Sequence, residues 1–324
     1  MIGVMDRLAA VVPATDRPPT LAACLKALEA ASEPPDQVIV VSDPSGLGPA
    51  AARNRGAARA RCELLVFVDS DVAVHPDAFV RIRRVFAQDP GIAAVFGSYD
   101  DDPAEPDLVS GFRNLLHHHV HTQAAGPAST FWAGLGAIRA DVFEEVGGFD
   151  ERRYPSPSIE DIELGARLHA QGYSVLLDPG IQGKHLKRWT LTSMIRTDFS
   201  KRGIPWAELV LARESDPGAL NLGLRHRLSA LASISLLVSL GLRRYRVAAT
   251  SAAAFIALNR DFYVLVARRR GTAQAGGGLV LHLAHSLTAI AAAVVASWRH
   301  AGRRNRAQSG GPGSEKGAGK VRSE

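Results

Sequence analysis

Apolar residues in the first two hundred positions fall in short unbroken runs, each stopped by a polar residue. The clearest run is 64–68 (L-L-V-F-V), which ends at Asp69-Ser70-Asp71. Five consecutive apolar residues with polar ends predict a strand buried on both faces, as in a parallel sheet. Residues 8–14 (L-A-A-V-V-P-A) and 36–42 (D-Q-V-I-V-V-S) repeat the pattern and lead into Thr15-Asp16 and Asp43. Between them Leu21, Leu25 and Leu28 recur at helical spacing behind Thr20, the expected helix cap. The Ala- and Arg-rich stretch 48–61 is also helical in pattern. The order β-α-β-α-β predicts an α/β fold built on a doubly wound sheet. Further strands are predicted at 92–96 and 173–178.

In such sheets ligands bind outside the carboxyl ends of the strands. Asp16, Asp43, Asp69 and Asp71 all stand at such ends, which points to a nucleotide site. Asp-x-Asp offers a divalent cation hard oxygen ligands while leaving coordination positions open, and an open metal can hold a diphosphate. The same two aspartates could instead cap a turn and a helix. Neither G-x-G-x-x-G nor G-x-x-x-x-G-K-[ST] occurs, so the dinucleotide and P-loop readings lose their main support.

Several motifs then follow in a fixed order: V-V-P-A-T-D-R, V-I-V-V-S-D, G-P-A-A-A-R-N-R-G-A, D-S-D, F-W-A-G-L-G-A-I-R, V-G-G-F-D-E and S-I-E-D-I-E-L-G-A-R-L. Together they resemble glycosyltransferase family 2 over residues 8–206. The resemblance implies the GT-A fold, a Rossmann-like mixed sheet flanked by helices, and a nucleotide-diphosphate sugar donor, UDP-linked by expectation. It places Pro13, Thr15 and Asp16 in the nucleotide-contacting turn, Asp43 on the base, and Arg53 and Asn54 near the nucleotide. Asp71 becomes the direct ligand of Mn²⁺ or Mg²⁺, Asp69 lies by the ribose or the metal shell, and His185 is a third ligand. Asp161 is the matching catalytic base, with Glu160 beside it. A single base opposite the leaving group implies direct displacement and inversion. Arg188-Trp189 is similar to the R-W of the Q-x-x-R-W motif of processive members. His185 replaces its glutamine, which implies transfer of one sugar at a time.

The residue types suit this chemistry on their own terms. A divalent cation stabilises a diphosphate leaving group, and a positioned carboxylate that takes the acceptor proton contributes roughly 10²–10⁴-fold. Trp132 offers a stacking face and Gly134 close backbone approach to a sugar, with core packing as the competing reading. Ser158 followed by Glu160, Asp161 and Glu163 also reads as helix capping. His117, His118, His119 and His121 are expected to be structural or membrane-proximal, because neighbours on a helix point in different directions. Asp100-Asp101-Asp102 is a solvated turn or a donor contact.

At 324 residues the chain holds one catalytic domain (1–206), a membrane-associated helical region (207–300) and a basic tail (301–324) expected to be disordered. Cys24 and Cys62 suggest neither metal nor a disulfide framework. Residues 1–7 do not read as a signal peptide. Apolar segments at 228–242, 247–267 and 279–298 are flanked by arginines, and only the last reaches spanning length cleanly. The net charge of +6 is therefore read as directed at lipid, and no nucleic-acid motif is present. The expectation is a membrane-associated inverting transferase at the inner membrane, its catalytic domain facing the cytosol, acting on a lipid-linked or polysaccharide acceptor. Two alternatives stand beside it: a nucleotidyltransferase, and an inactive membrane scaffold with a transferase-like domain.

Overall fold

The computed structural model describes residues 7–309. The expectations for residues 1–6 and for the tail beyond 309 lie outside the described residues. In chain order the first elements are β1 (Leu8–Pro13), α1 (Leu21–Glu29), β2 (Gln37–Val41), α2 (Pro49–Ala57), β3 (Leu64–Val68), β4 (Val72–Val74), α3 (Ala78–Gln88) and β5 (Ile92–Tyr99). They are followed by α4 (Leu108–Gln123), β6 (Gly126–Ala128), β7 (Leu135–Arg139), α5 (Ala140–Glu145), α6 (Glu160–Ala170) and β8 (Ser174–His185).

The strands form one sheet in the order β2-β1-β3-β7-β5-β8-β4, with β6 paired to β8. β1 runs parallel to β2 and β3. β7 is inserted antiparallel between β3 and β5, so the sheet is mixed rather than parallel throughout. The alternation of side chains across the pleat builds two cores. Leu64, Val66 and Val68 of β3 pack with Cys24 and Leu28 of α1 and with Phe79, Ile82 and Phe86 of α3. Leu65 and Phe67 pack on the other face with Val142 and Phe143 of α5 and Leu164 and Leu168 of α6. Burial on both faces is why β3 reads as an unbroken apolar run. The strand expected to end at Asp178 continues in β8 to His185, which carries that histidine to the edge of β4. Thr20 does stand at the start of α1, but its hydroxyl makes no capping bond.

The C-terminal part comprises α7 (Leu191–Arg196), a π-helical turn (Thr197–Gly203), α8 (Ile204–Leu211), α9 (Leu224–Gly241), α10 (Tyr245–Leu258), α11 (Arg260–Arg270) and α12 (Thr272–Ser309). The predicted segment 247–267 is thus two helices meeting at Asn259. That buried amide donates to Ser229 Oγ at 2.7 Å and to Phe255 O at 2.8 Å. The helix Thr272–Arg303 is long and apolar enough to cross a membrane, by length and composition. Residues 301–309, placed in the expected disordered tail, continue α12. α11 and α12 fold back onto α4 and the segment after β8: Phe262, Val266 and Leu281 share a core with Phe112 and Leu115 of α4, Trp189 and Met194.

Candidate active site

The carboxyl end of β3 delivers Asp69 and Asp71, and the first turn of α6 delivers Glu160 and Asp161. Arg53, on the buried face of α2, ties the two together. Its guanidinium donates to Asp69 Oδ1 at 2.6 Å and to Glu160 Oε1 at 2.9 Å, and it lies over the Phe149 ring. Only 4% of Arg53 is exposed. Burial alone would lower its pKa, but the charges of Asp69 and Glu160 raise it, so it stays charged. The other Glu160 oxygen accepts the Ser158 N–H at 2.9 Å. Glu160, expected beside the substrate, is therefore committed to holding the frame. The expected serine cap is reversed, since the Ser158 hydroxyl donates to Lys201 O instead.

Asp161 points the other way and lines a partly open cavity. One of its oxygens accepts the Ala133 N–H at 3.2 Å and the other the Ile162 N–H at 2.9 Å. Burial, then the neighbouring Glu160, pushes its carboxyl up to about 6. A carboxylate poised there is a competent base at neutral pH. Adjacent residues on one helical turn thus face a buried guanidinium and the cavity respectively.

Asp71 faces His185 across 3.7 Å between Oδ2 and Nε2. Burial would raise the Asp71 carboxyl, but the imidazole holds it down. Burial raises Asp69 against the opposing charge of Arg53. Among the described residues no three His, Cys, Asp or Glu side chains converge as a ready-made cation site. The expected trio is divided because Asp69 turns toward Arg53, while Asp71 and His185 face each other.

An aromatic wall stands behind His185. The Tyr99 ring stacks on it at 4.2 Å and meets Trp132 edge-on at 4.9 Å. His117 lies 4.2 Å from Tyr99 and 4.6 Å from Trp132. Its Nδ1 accepts the Tyr99 N–H at 3.5 Å, which leaves the proton on Nε2, and that buried atom has no partner among the described residues. His118 and His121 donate to Tyr99 O and Gly97 O, both at 2.9 Å, fastening α4 to β5. Gly134 has no room for a side chain, because a Cβ there would lie 2.4 Å from the Trp132 indole. Its carbonyl also accepts the Asp69 N–H at 3.0 Å, so the glycine seats the tryptophan and the aspartate together.

The cavity, of about 420 Å³, is bounded by Asp161, His185, Trp132, Trp189, the π-helical turn, α8 and α12. Trp189 lies between Arg113 and Lys187, with guanidinium and ammonium 5.1 and 4.7 Å from its ring. Arg188, expected beside it in the site, is exposed, approaches Asp107 at 4.0 Å and does not line the cavity. Asn54, expected near the nucleotide, uses its amide at both ends on Phe149, accepting its N–H and donating to its carbonyl at 2.9 Å each. The Thr15 hydroxyl donates to Leu47 O and fixes the loop after β2. Pro13 ends β1, and Asp16 and Asp43 remain exposed beside that loop. Asp100, Asp101 and Asp102 are held by His75, Arg269 and Lys184 respectively. A larger open cleft of about 1230 Å³ runs past Arg7, Cys62 and Arg167, at the amino ends of β1 and β3. None of the strand-end carboxylates lines it. Tyr99, His117, Asp198 and Arg202 line the inner cavity without any local signal in the sequence.

Residues 44–147 match the family described as Glycosyl transferase family 2. The O-antigen biosynthesis protein RfbC of Myxococcus xanthus is 31% identical over 142 residues, 39% of this chain and 11% of RfbC. The chain thus spans about a tenth of the length of that curated relative. Among solved structures, the mannosyltransferase PcManGT from Pyrobaculum calidifontis, in complex with GDP-Man and Mn²⁺, superimposes with a TM-score of 0.55 at 18% identity. That superposition covers 92% of this chain and 88% of the mannosyltransferase. The likeness shows the GT-A fold.

Proposed function

We propose, on the premise that residues 44–147 form a glycosyltransferase family 2 domain, that this protein is an inverting, non-processive glycosyltransferase. Its donor is a nucleotide-diphosphate sugar, and its acceptor a lipid-linked or cell-envelope glycan. The observation that carries the reading is the division of labour at α6. Asp161 faces the cavity with its carboxyl raised to about 6, while Glu160 is locked to Arg53. One free carboxylate suits a single-displacement mechanism, in which one base removes the acceptor proton as the sugar leaves the diphosphate.

The residues at the β3 end fit a divalent cation. Asp71 and His185 offer one oxygen and one nitrogen, a set that Mn²⁺ accepts readily, with the other positions left to phosphate oxygens. When bound, such a cation neutralises charge on the leaving diphosphate. The chain's own groups do the rest. Arg53 fixes Asp69 beside the cation position, Trp132 and Tyr99 offer ring faces to a sugar, and Asp161 takes the hydroxyl proton at its free edge. The nucleotide is expected against the turn after β1 and the loop after β2, at Thr15, Asp16 and Asp43.

Membrane association is supported by Leu224, Leu231 and Val238 on α9, Leu242 just after it, Tyr245 on α10 and Trp298 on α12, all exposed. Arg243, Arg244 and Arg246 crowd the turn between α9 and α10. Apolar surface beside arginine suits the boundary of an anionic bilayer. We place the catalytic domain at the cytosolic face of the inner membrane. The homology to an O-antigen biosynthesis protein is consistent with cell-envelope glycan as product.

The test is nucleotide release from UDP-, GDP- and dTDP-sugars by the full chain in detergent, with Mn²⁺ and with chelator. Metal-dependent release from one donor supports the reading. Absence of both binding and release for every donor contradicts it and favours a scaffold role.

A further inference from the structure

The cavity beside Asp161 joins two unlike environments. At its inner end stand Asp161, His185 and Trp132; its outer wall is formed by Trp206, Val210 and Leu211 together with Ala289 and Ala293 of α12. Arg113, Arg202 and Arg227, with His117, His121 and His285, also line it. Arg113 has its counter-charge within the protein, because Asp198 pairs with it at 3.0 Å and also meets His285 at 2.7 Å. Arg202 and Arg227 have no such carboxylate among the described residues. Among the described residues Arg202 has no ion-pair partner, and Arg227 donates only to the backbone carbonyls of Leu222 and Pro217. The Arg202 charge is felt at Asp161, where it weakly opposes the rise that burial causes.

Two exposed guanidiniums without a carboxylate partner, on a cavity whose wall is mostly apolar, favour one ligand chemistry. A neutral sugar chain needs neither the positive charge nor the apolar wall. A simple anion needs the charge but not the wall. A phosphate ester of a long-chain alcohol needs both, and guanidinium meets phosphate through paired N–H donors. We propose that the cavity seats the acceptor's anionic head, with Arg202 and Arg227 holding a lipid-linked phosphate. The hydrocarbon lies along Trp206, Val210, Ala289 and Ala293. This rests on the transferase reading, and it selects the lipid-linked acceptor over the free polysaccharide. The placement also explains why α12 belongs to the site: the helix supplies part of the wall that covers the lipid, and Asp198 fixes it there through His285.

The test is equilibrium binding of a C15 isoprenyl monophosphate to the full chain in nonionic detergent. The parent C15 alcohol and inorganic phosphate serve as separate arms, and nucleotide-sugar binding is measured in the same samples. The isoprenyl phosphate is expected to bind at least about tenfold more tightly than either arm. Arg202→Gln and Arg227→Gln are each expected to weaken it by about tenfold, the scale of one charge-assisted contact. Arg202→Lys is expected to recover part of the loss, which guards against a folding defect, and thermal unfolding is recorded for each variant. Equal binding of the alcohol or of inorganic phosphate overturns the proposal, as does wild-type binding by Arg202→Gln. Donor binding without preference for the lipid phosphate refutes the cavity assignment alone. Lipid-phosphate preference without donor binding leaves the cavity assignment standing and removes the transferase reading.

Discussion

Arg53 and Asp69 form a 2.6 Å ion pair that is one half of a bridge, since the same guanidinium reaches Glu160 at 2.9 Å. One side chain of α2 thereby fixes the distance between the end of β3 and the start of α6. Removing it strands two carboxylates, one of them fully buried, and leaves nothing to set that spacing. Arg53→Ala is expected to cost about 3–5 kcal/mol in chemical denaturation, the scale for breaking a buried pair by removing one partner. Arg53→Lys, with one ammonium for two acceptors, should recover less than half. A loss below about 1 kcal/mol for the alanine variant would show that the bridge does not hold the site.

Asp161 gives the expected pH dependence. Its carboxyl is raised to about 6, so the base is protonated below that pH, and the transfer rate should fall about tenfold per pH unit beneath it. The sign for stability is opposite to the usual carboxylate. A folded-state value above the unfolded one means that the folded form binds the proton more tightly, so the contribution of Asp161 to stability is present at low pH and is lost as pH rises through about 6. Asp161→Asn should therefore reduce transfer by roughly 10²-fold or more while raising the melting temperature at pH 8. A melting temperature that falls together with activity would assign Asp161 a structural part.

Gly134 couples packing to chemistry. Gly134→Ala places a methyl 2.4 Å from the Trp132 ring, so the indole must move and disturb the strand that bonds the Asp69 amide. Overpacking of this kind costs about 1–3 kcal/mol. The larger expected effect is on donor or acceptor KM, measured by steady-state kinetics on protein that remains folded. Unchanged kinetics would place Trp132 outside the sugar site.

Asp198 ties α12 to α4 through His285 and Arg113. Asp198→Asn leaves a buried guanidinium without its counter-charge. It should destabilise the protein by about 3 kcal/mol and speed proteolysis within α12 in limited-digestion time courses. Digestion at the wild-type rate would mean that the helix is held by its apolar contacts alone.

The parts of this account that were legible in the sequence are those written in contiguous residues. The run 64–68 ending in Asp69-Ser70-Asp71 announces a doubly buried strand with carboxylates at its tip, and the ordered motifs mark the GT-A frame. What stayed hidden depends on partners far along the chain. Nothing local to Asn54 shows that its amide is claimed by the backbone of Phe149, and nothing local to Glu160 shows that Arg53 holds it. β7 lies inside the motif F-W-A-G-L-G-A-I-R without being singled out as a strand, and its antiparallel direction is set by where the chain re-enters the sheet. Tyr99, His117 and Arg202 come from a strand, a helix and a π-helical turn that meet only in the folded chain.

If a single carboxylate, Asp161, drives direct displacement, the anomeric configuration of the first product must invert. Proton NMR of a single-turnover reaction with an α-linked nucleotide sugar should show a β-linked product, and Asp161→Asn should yield none on the same timescale. Retention of the α configuration, or a product formed at the wild-type rate by Asp161→Asn, would contradict the account.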